Sequence, residues 1–357
     1  MASGLPMSTA TATPTPTPAP PGSRARPRPE GDELSAEMRF AHLSDWHATS
    51  LVGGGRALLQ PKRLSGWASW ALRRRRDHSP EILAATLRDV RSQDLDPILV
   101  TGDLTHVSLE QEFRAAAEQL ERLGPPDRVF LIPGNHDCYV PVEPERSWDH
   151  WRPYLAGDAE ASLDPELADC LAPARDSGVA PRHEDYPTLR IRGRLAMVGL
   201  CSAIPTPIFR AGGELGEIQR ERLERVLRLL GDRGLFRVIM IHHPIARSGE
   251  PTRRALWDAE ALRALLARTG AELVLHGHKH RRRVSTLPGP DAPVPVVGVP
   301  SSSEVGSRPG KLAQYHVYTL RPREAGGGAP RGFELEAEIR GYDPEAGEFR
   351  RVDETLL

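Results

Sequence analysis

Apolar residues along this chain recur in two periods. Short runs at 39–44, 98–100, 129–132, 195–200, 237–241 and 272–276 have the length and branched-chain content of buried strands. Between them, residues near 80–93, 108–123, 217–230 and 258–268 repeat their apolar positions at helical spacing. Three more runs, 294–299, 313–320 and 333–340, read as strands, and the last two alternate in polarity. Strands joined by helices and then strands alone predict an α/β fold with a sheet buried on both faces. No internal repeat is visible.

Five of the strands end in polar clusters. They are Asp45-Trp46-His47, Gly102-Asp103, Gly134-Asn135-His136-Asp137, His242-His243-Pro244 and Gly277-His278-Lys279-His280. Each falls on the loop leaving a strand's carboxyl end, the edge at which α/β sheets bind ligands. Imidazole mixed with carboxylate and amide oxygen suits Mn, Fe, Zn or Co, whereas an all-oxygen set favours Mg or Ca. Two divalent cations roughly 3.5–4 Å apart acidify a shared water and clamp the oxygens of a phosphoryl group. One such dipeptide is chance in a chain of this length; five in a fixed order are far more specific.

The order D-x-H, GD, GNHD, HHP and GHxH resembles the calcineurin-like metallophosphoesterases, and the likeness covers about residues 38 to 300. The resemblance implies a four-layer αββα sandwich of two stacked mixed β-sheets flanked by helices. It also implies a cofactor of two divalent metal ions. Asp45, His47 and His280 would hold the first, Asp103 would bridge, and Asn135, His242 and His278 would complete the second. His136 would protonate the leaving oxygen, with Asp137 orienting its imidazole. His243, second in its pair, would pack or contact substrate. His42 reads as a core imidazole, and His106 and His276 are ambiguous. Gly53-Gly54-Gly55 lacks the Lys and Ser/Thr of a phosphate-binding loop and reads as a turn.

Composition narrows the class. The chain has 357 residues, 39% of them apolar, enough for a large core. A formal net charge of -1 gives no global field for nucleic acid. No apolar run approaches the ~20 residues of a membrane-spanning helix. The first 36 residues lack a basic start and an apolar stretch, which argues against secretion. Three cysteines, Cys138, Cys170 and Cys201, fit a reducing, cytoplasmic setting. Residues 1–36, rich in Pro, Thr and Ala, read as a disordered tail, 37–345 as the catalytic domain and 346–357 as a C-terminal tail. An insertion at 140–190 could cap the active site.

A second insertion, 58–78, departs from the minimal pattern. Within it, Pro61 to His78 places Leu64, Trp67, Ala68 and Ala71 at helical spacing beside Trp70, Lys62, Arg63 and the run Arg73 to Arg76. This composition fits a membrane-surface helix or, equally, one that docks its Trp face on the domain. A similar insertion occurs in the UDP-2,3-diacylglucosamine pyrophosphohydrolases, a looser likeness than the metal motifs.

The expected activity is hydrolysis of a phosphodiester by attack of metal-bound hydroxide. GNHD, HHP and GHxH are most similar to bacterial cyclic-nucleotide phosphodiesterases, so a cyclic-nucleotide or glycerophosphodiester substrate leads. A lipid-nucleotide pyrophosphohydrolase at the membrane surface is the alternative. A non-catalytic metal-bearing scaffold is a third reading, disfavoured because every motif residue is present.

Overall fold

A computed structural model describes Met1 and residues 37–47, 49–72, 74–173, 178–246, 251–323 and 332–356. The tail expected over 1–36 lies, Met1 apart, outside them. Along the chain run β1 (Met38–Leu43), α1 (Pro61–Leu72), α2 (Pro80–Ser92), β2 (Ile98–Val100), α3 (Glu110–Leu123) and β3 (Val129–Leu131). Short helices α4 (Arg152–Leu155), α5 (Ala159–Leu163) and α6 (Pro165–Ala168) precede β4 (Thr188–Arg192) and β5 (Leu195–Gly199). Then come α7 (Glu217–Asp232), β6 (Phe236–Ile241), α8 (Ala259–Thr269), β7 (Leu273–His276), β8 (Arg283–Leu287) and β9 (Val294–Gly298). Three long strands close the chain: β10 (Gln314–Pro322), β11 (Phe333–Asp343) and β12 (Glu348–Leu356).

The strands form two six-stranded sheets, ordered β12-β11-β10-β1-β2-β3 and β4-β5-β6-β7-β9-β8. Both are mixed. In the first, β1, β2 and β3 run parallel while β10 to β12 are antiparallel. In the second, β5, β6, β7 and β9 are parallel between antiparallel edges β4 and β8. Alternation along β6 shows how the layers stack. Val238 and Met240 join the core shared with β1 to β3, while Ile239 and Ile241 join the core under α7 and α8. With α2 and α3 packed on the first sheet's outer face, the result is the expected four-layer αββα sandwich.

Two expectations need correction. The C-terminal stretch is not a tail: β12 pairs antiparallel with β11 from Asp343↔Glu348 to Glu336↔Leu356. Its charged residues hid a strand, since an edge strand carries charge on its open side. Nor do the described residues of 140–190 cap the site. No described residue of that segment lines the cavity, because its aromatics are used for packing. Trp148 Nε1 donates to the Asp137 carbonyl at 2.9 Å, and Trp151 Nε1 donates to that of Phe113 at 2.8 Å.

Helix α1 sits at the cavity instead. Trp70 packs with Leu51, Val107 and Leu109, and Lys62 Nζ donates to the Thr206 carbonyl and hydroxyl at 2.7 and 2.9 Å. Arg63 donates to the carbonyls of Val107 and Ser108. Leu64, Trp67 and Leu72 face outward, and Arg73 lies outside the described residues. The three cysteines are free. No helix among the described residues is long and apolar enough to cross a membrane.

Candidate metal centre

The five clusters leave strands of both sheets and meet at one crest. Asp45 and Asp103 lie at its centre, 0% and 2% exposed. Asp103 Oδ2 faces His242 Nε2 at 3.2 Å and His47 Nε2 at 3.5 Å, and Asp45 Oδ1 faces His280 Nε2 at 3.2 Å. Asn135 Oδ1 lies 3.1 Å from His242 Nε2 and 2.8 Å from His278 Nδ1. Asp45, His47 and His280 form one set of donor atoms able to share an ion; Asp103, His242 and His278 form another. All seven residues expected to bind metal are therefore together.

Backbone geometry brings them there. Asp45, His47, Asp103, His278 and His280 all have positive φ, between 43° and 68°. Each costs a non-glycine residue roughly 1–2 kcal/mol, and such strain gathers at functional sites. Glycines let the loops meet. A Cβ on Gly277 would lie 2.0 Å from Ser44 Oγ and 2.5 Å from Asp45 Oδ2, and one on Gly134 would lie 2.3 Å from Asp103 Oδ1.

Three imidazoles are fixed by their outer nitrogens. A carbonyl can only accept, so His47 Nδ1 donates to Thr105 O at 2.8 Å and His242 Nδ1 to Thr101 O at 2.7 Å. His280 Nδ1 donates to Glu304 Oε2 at 3.0 Å. Each thereby turns Nε2 toward the carboxylates, as second partners orient metal-binding histidines. Burial alone would raise the Asp103 carboxyl, but the imidazoles of His242, His136 and His47 outweigh it and hold it well below the usual range. Burial opposes protonation of His242 and His280; the facing carboxylates prevail and raise each to about 9. Two buried carboxylates thus draw positive charge onto their neighbours, and a donor set of imidazole, carboxylate and amide oxygen fits divalent cations.

His136 is 8% exposed and lines the cavity. Its ring is oriented otherwise than expected, because Nδ1 donates to the His106 carbonyl at 2.6 Å. Asp137 does not orient it. Its carboxylate instead accepts the amides of Gly134, Asp103, Leu104 and Thr105 at 2.7–3.0 Å, and the Thr105 hydroxyl. With both oxygens gathering the GD and GNHD loops, neither is left for the imidazole. Burial, followed by the charge of Asp103, pushes the Asp137 carboxyl upward, against the pull of those amides.

His243 is fully buried, with Nδ1 2.8 Å from Ser202 Oγ and Nε2 3.2 Å from Ala211 O. It packs, and does not line the cavity. His42 is a core imidazole bonded to Thr101 Oγ1 at 2.9 Å, and His276 is likewise buried. His106 lines the cavity.

Sequence reading missed His78, Glu304 and the serines after β9. His78, His280 and Glu304 form a further set of potential ligand atoms. Ser301 Oγ donates to Asp45 O at 2.6 Å, and Ser303 Oγ to Trp46 O. One signal was present: Val294 to Val299 is an apolar run whose following loop leaves the same sheet edge as the five motifs.

Beside the centre opens a cavity of about 890 Å³. It is lined by α1, by Phe209, Arg210, Arg253 and Arg254, and by Lys279, Arg281, Arg283, Arg308 and Lys311.

The family model for calcineurin-like phosphoesterase matches residues 38–282, and the chain belongs to that family. No curated protein sequence matches it. Among solved structures it resembles purple acid phosphatase PPD1 from yellow lupin (Lupinus luteus) seeds, at 13% identity and TM-score 0.53, covering 91% of this chain and 54% of that one. Also similar are a dimetal phosphatase from Danio rerio, at 14% identity and TM-score 0.47 over 89% and 98% of the two chains, and a 5'-nucleotidase precursor from Thermus thermophilus, at 15% identity and TM-score 0.42 over 90% and 54%. At 13% identity the lupin likeness is one of fold.

The role of Asp137 can be measured. Asp137→Asn sets an NH2 against backbone amides, so chemical denaturation should show a loss of roughly 1.5–3 kcal/mol, and metal content should fall with it. A variant that keeps stability and metal while losing only turnover would restore the imidazole-orienting role.

Proposed function

We propose that the chain is a metal-dependent phosphodiesterase acting on a cyclic-nucleotide or glycerophosphodiester-like substrate. The observation that carries this reading is the set of anchored imidazoles: His47, His242 and His280 present Nε2 to two buried carboxylates, and His136 stands beside them on the cavity wall. Asp45, His47 and His280 would hold one divalent cation, and Asn135, His242 and His278 the other, with Asp103 between. Mn, Fe, Zn or Co suit these donors. When bound, such a pair supplies an acidified water and positive charge along the phosphoryl oxygens.

The chain's own residues account for the remaining chemistry. Because the His106 carbonyl holds the Nδ1 proton of His136, the exchangeable proton of the imidazolium is on Nε2. As the water oxygen bonds to phosphorus and the ester P–O bond breaks, that proton passes to the departing alkoxide. Asp103 keeps negative charge between the two donor sets and, through Oδ1, accepts the His136 amide at 2.7 Å. The same carboxylate therefore spaces the acid from the metal ligands.

Mn-loaded protein assayed on bis-p-nitrophenyl phosphate, cyclic AMP and glycerophosphodiesters tests the reading. Close to two metal equivalents are expected in the parent protein, and Asp103→Asn should lose more metal than any change outside the seven ligands. Full occupancy and activity in that variant would refute the bridging role. His136→Ala should keep both metals and lower kcat by roughly 10²–10⁴-fold on alkyl esters. The loss should shrink for p-nitrophenolate, which leaves without a proton; equal losses would make His136 a phosphate-positioning group.

A second reading is supported by the cavity's lip. Leu64, Trp67 and Leu72 face outward from α1, and Phe209, 80% exposed, lines the cavity mouth. These favour a UDP-2,3-diacylglucosamine-type pyrophosphohydrolase that meets a membrane surface through 61–78. Anionic vesicles should then co-sediment with the protein, less so at high salt because exposed charges are screened over ~8 Å at physiological ionic strength. Trp67→Ala should weaken the association with no loss of melting temperature. No co-sedimentation by the parent protein removes this reading.

A further inference from the structure

The basic run Lys279-His280-Arg281-Arg282-Arg283 belongs to the loop between β7 and β8 together with the first residue of β8. Arg282 pairs with Asp353 on β12, and Arg281 and Arg283 line the cavity. Arg308 and Lys311 join them from the turn after Glu304, closed by the amide of Lys311 on Arg308 O at 3.2 Å. Lys311 Nζ is 3.8 Å from Glu304 Oε2, the oxygen that also accepts from His280. One carboxylate thus ties this basic wall directly to the metal-binding side.

Several arginines elsewhere in the chain are neutralised, whereas those lining the cavity, Arg210, Arg253 and Arg254 included, have no carboxylate partner among the described residues. Arg192, Arg220, Arg233, Arg237, Arg321 and Arg340 each meet a carboxylate. Arg281, Arg283 and Arg308 meet none among the described residues, in a chain with 47 basic and 48 acidic residues. Like charges crowded around the single carboxylate of Glu304 repel one another, a cost that a bound polyanion would reverse. A cavity of about 890 Å³ is also far larger than one phosphoryl group needs.

We propose that Lys279, Arg281, Arg283, Arg308 and Lys311 form a subsite for a second anionic group of the substrate, so that the preferred substrate is a phosphoester carrying another phosphate beyond the scissile one. This rests on the hydrolase reading for its catalytic consequence, and it narrows the substrate class. Guanidinium groups suit the role because they bind phosphate through paired N–H donors.

The test compares thymidine 5′-(p-nitrophenyl phosphate) with the same ester bearing a 3′-phosphate, since both release the same phenolate. The parent should favour the doubly phosphorylated ester in kcat/KM by about tenfold or more. Arg281→Ser/Arg308→Ser should erase that preference, and Arg281→Lys/Arg308→Lys should restore part of it. Equal rates on both esters in the parent, or a preference surviving the double Ser variant, would overturn the proposal. Loss of both activities together, with a lowered melting temperature, would also overturn it, by making the wall structural. If the parent cleaves neither ester, the phosphodiesterase reading fails by itself, and equilibrium dialysis of the metal-free chain decides the subsite. Inorganic pyrophosphate held by the parent more tightly than inorganic phosphate, and released by the double Ser variant, supports it. Equal retention by both proteins overturns it.

Discussion

Two carboxylates with almost no access to water, Asp45 and Asp103, set the terms for the rest of the structure. An unpaired carboxylate in such a place costs several kcal/mol after all relaxation, and these two face imidazoles. Imidazole is a conditional partner, since it carries charge only when protonated. Without a cation, His242 and His280 meet the two carboxylates as protonated partners, and a divalent cation would take the place of those protons. Strain points the same way. Five of the seven candidate ligands hold a left-handed backbone, which a purely structural cluster would have no reason to keep.

Supporting this centre falls to three other carboxylates, each outside the ligand set. Asp137 collects the amides of two motif loops. Glu112, at the start of α3, collects those of His106, Val107 and Leu109 and the Thr49 hydroxyl. Glu304 fixes His280. The connection from Glu112 to the cavity is short: its carboxylate holds the His106 amide, and the His106 carbonyl holds His136. Rigid second partners of this kind decide which nitrogen of each ring meets a ligand. The position of His136 thus depends on a helix start as much as on its own motif.

Most of the architecture was legible because strand and helix periods are strong where both faces are buried. Runs such as Val238 to Ile241 could scarcely be anything else. β12 was not legible, since an edge strand rich in Arg, Asp and Glu has the composition of a loop, and β8 was not, because its five residues are mostly exposed. All seven candidate ligands were legible, because side chains that hold cations are of few types and follow strands at one sheet edge. Roles defined by hydrogen bonds were not. Asp137 adjoins His136 in sequence, yet its carboxylate turns to amides such as that of Leu104, 33 residues away along the chain. Glu304 and His78 were invisible for the same reason: β-bridge pairing of His78 with Glu304 brings them together over a long stretch of chain.

Specificity has to come from elsewhere than the centre. The metal-binding motifs determine where a phosphoryl group can react, but the cavity walls come from α1, the Phe209 loop and the turn carrying Arg308 and Lys311. Those walls differ in character. Phe209 holds a left-handed backbone, φ 64°, at an exposed lip, a strained position for an aromatic side chain that would otherwise be buried. The same cavity is lined by guanidinium groups without carboxylate partners among the described residues. A substrate that reached only the centre would leave both walls hydrated and draw no binding energy from either. One that joins an apolar portion to more than one anionic group would engage both at once, and the cavity is large enough to admit it.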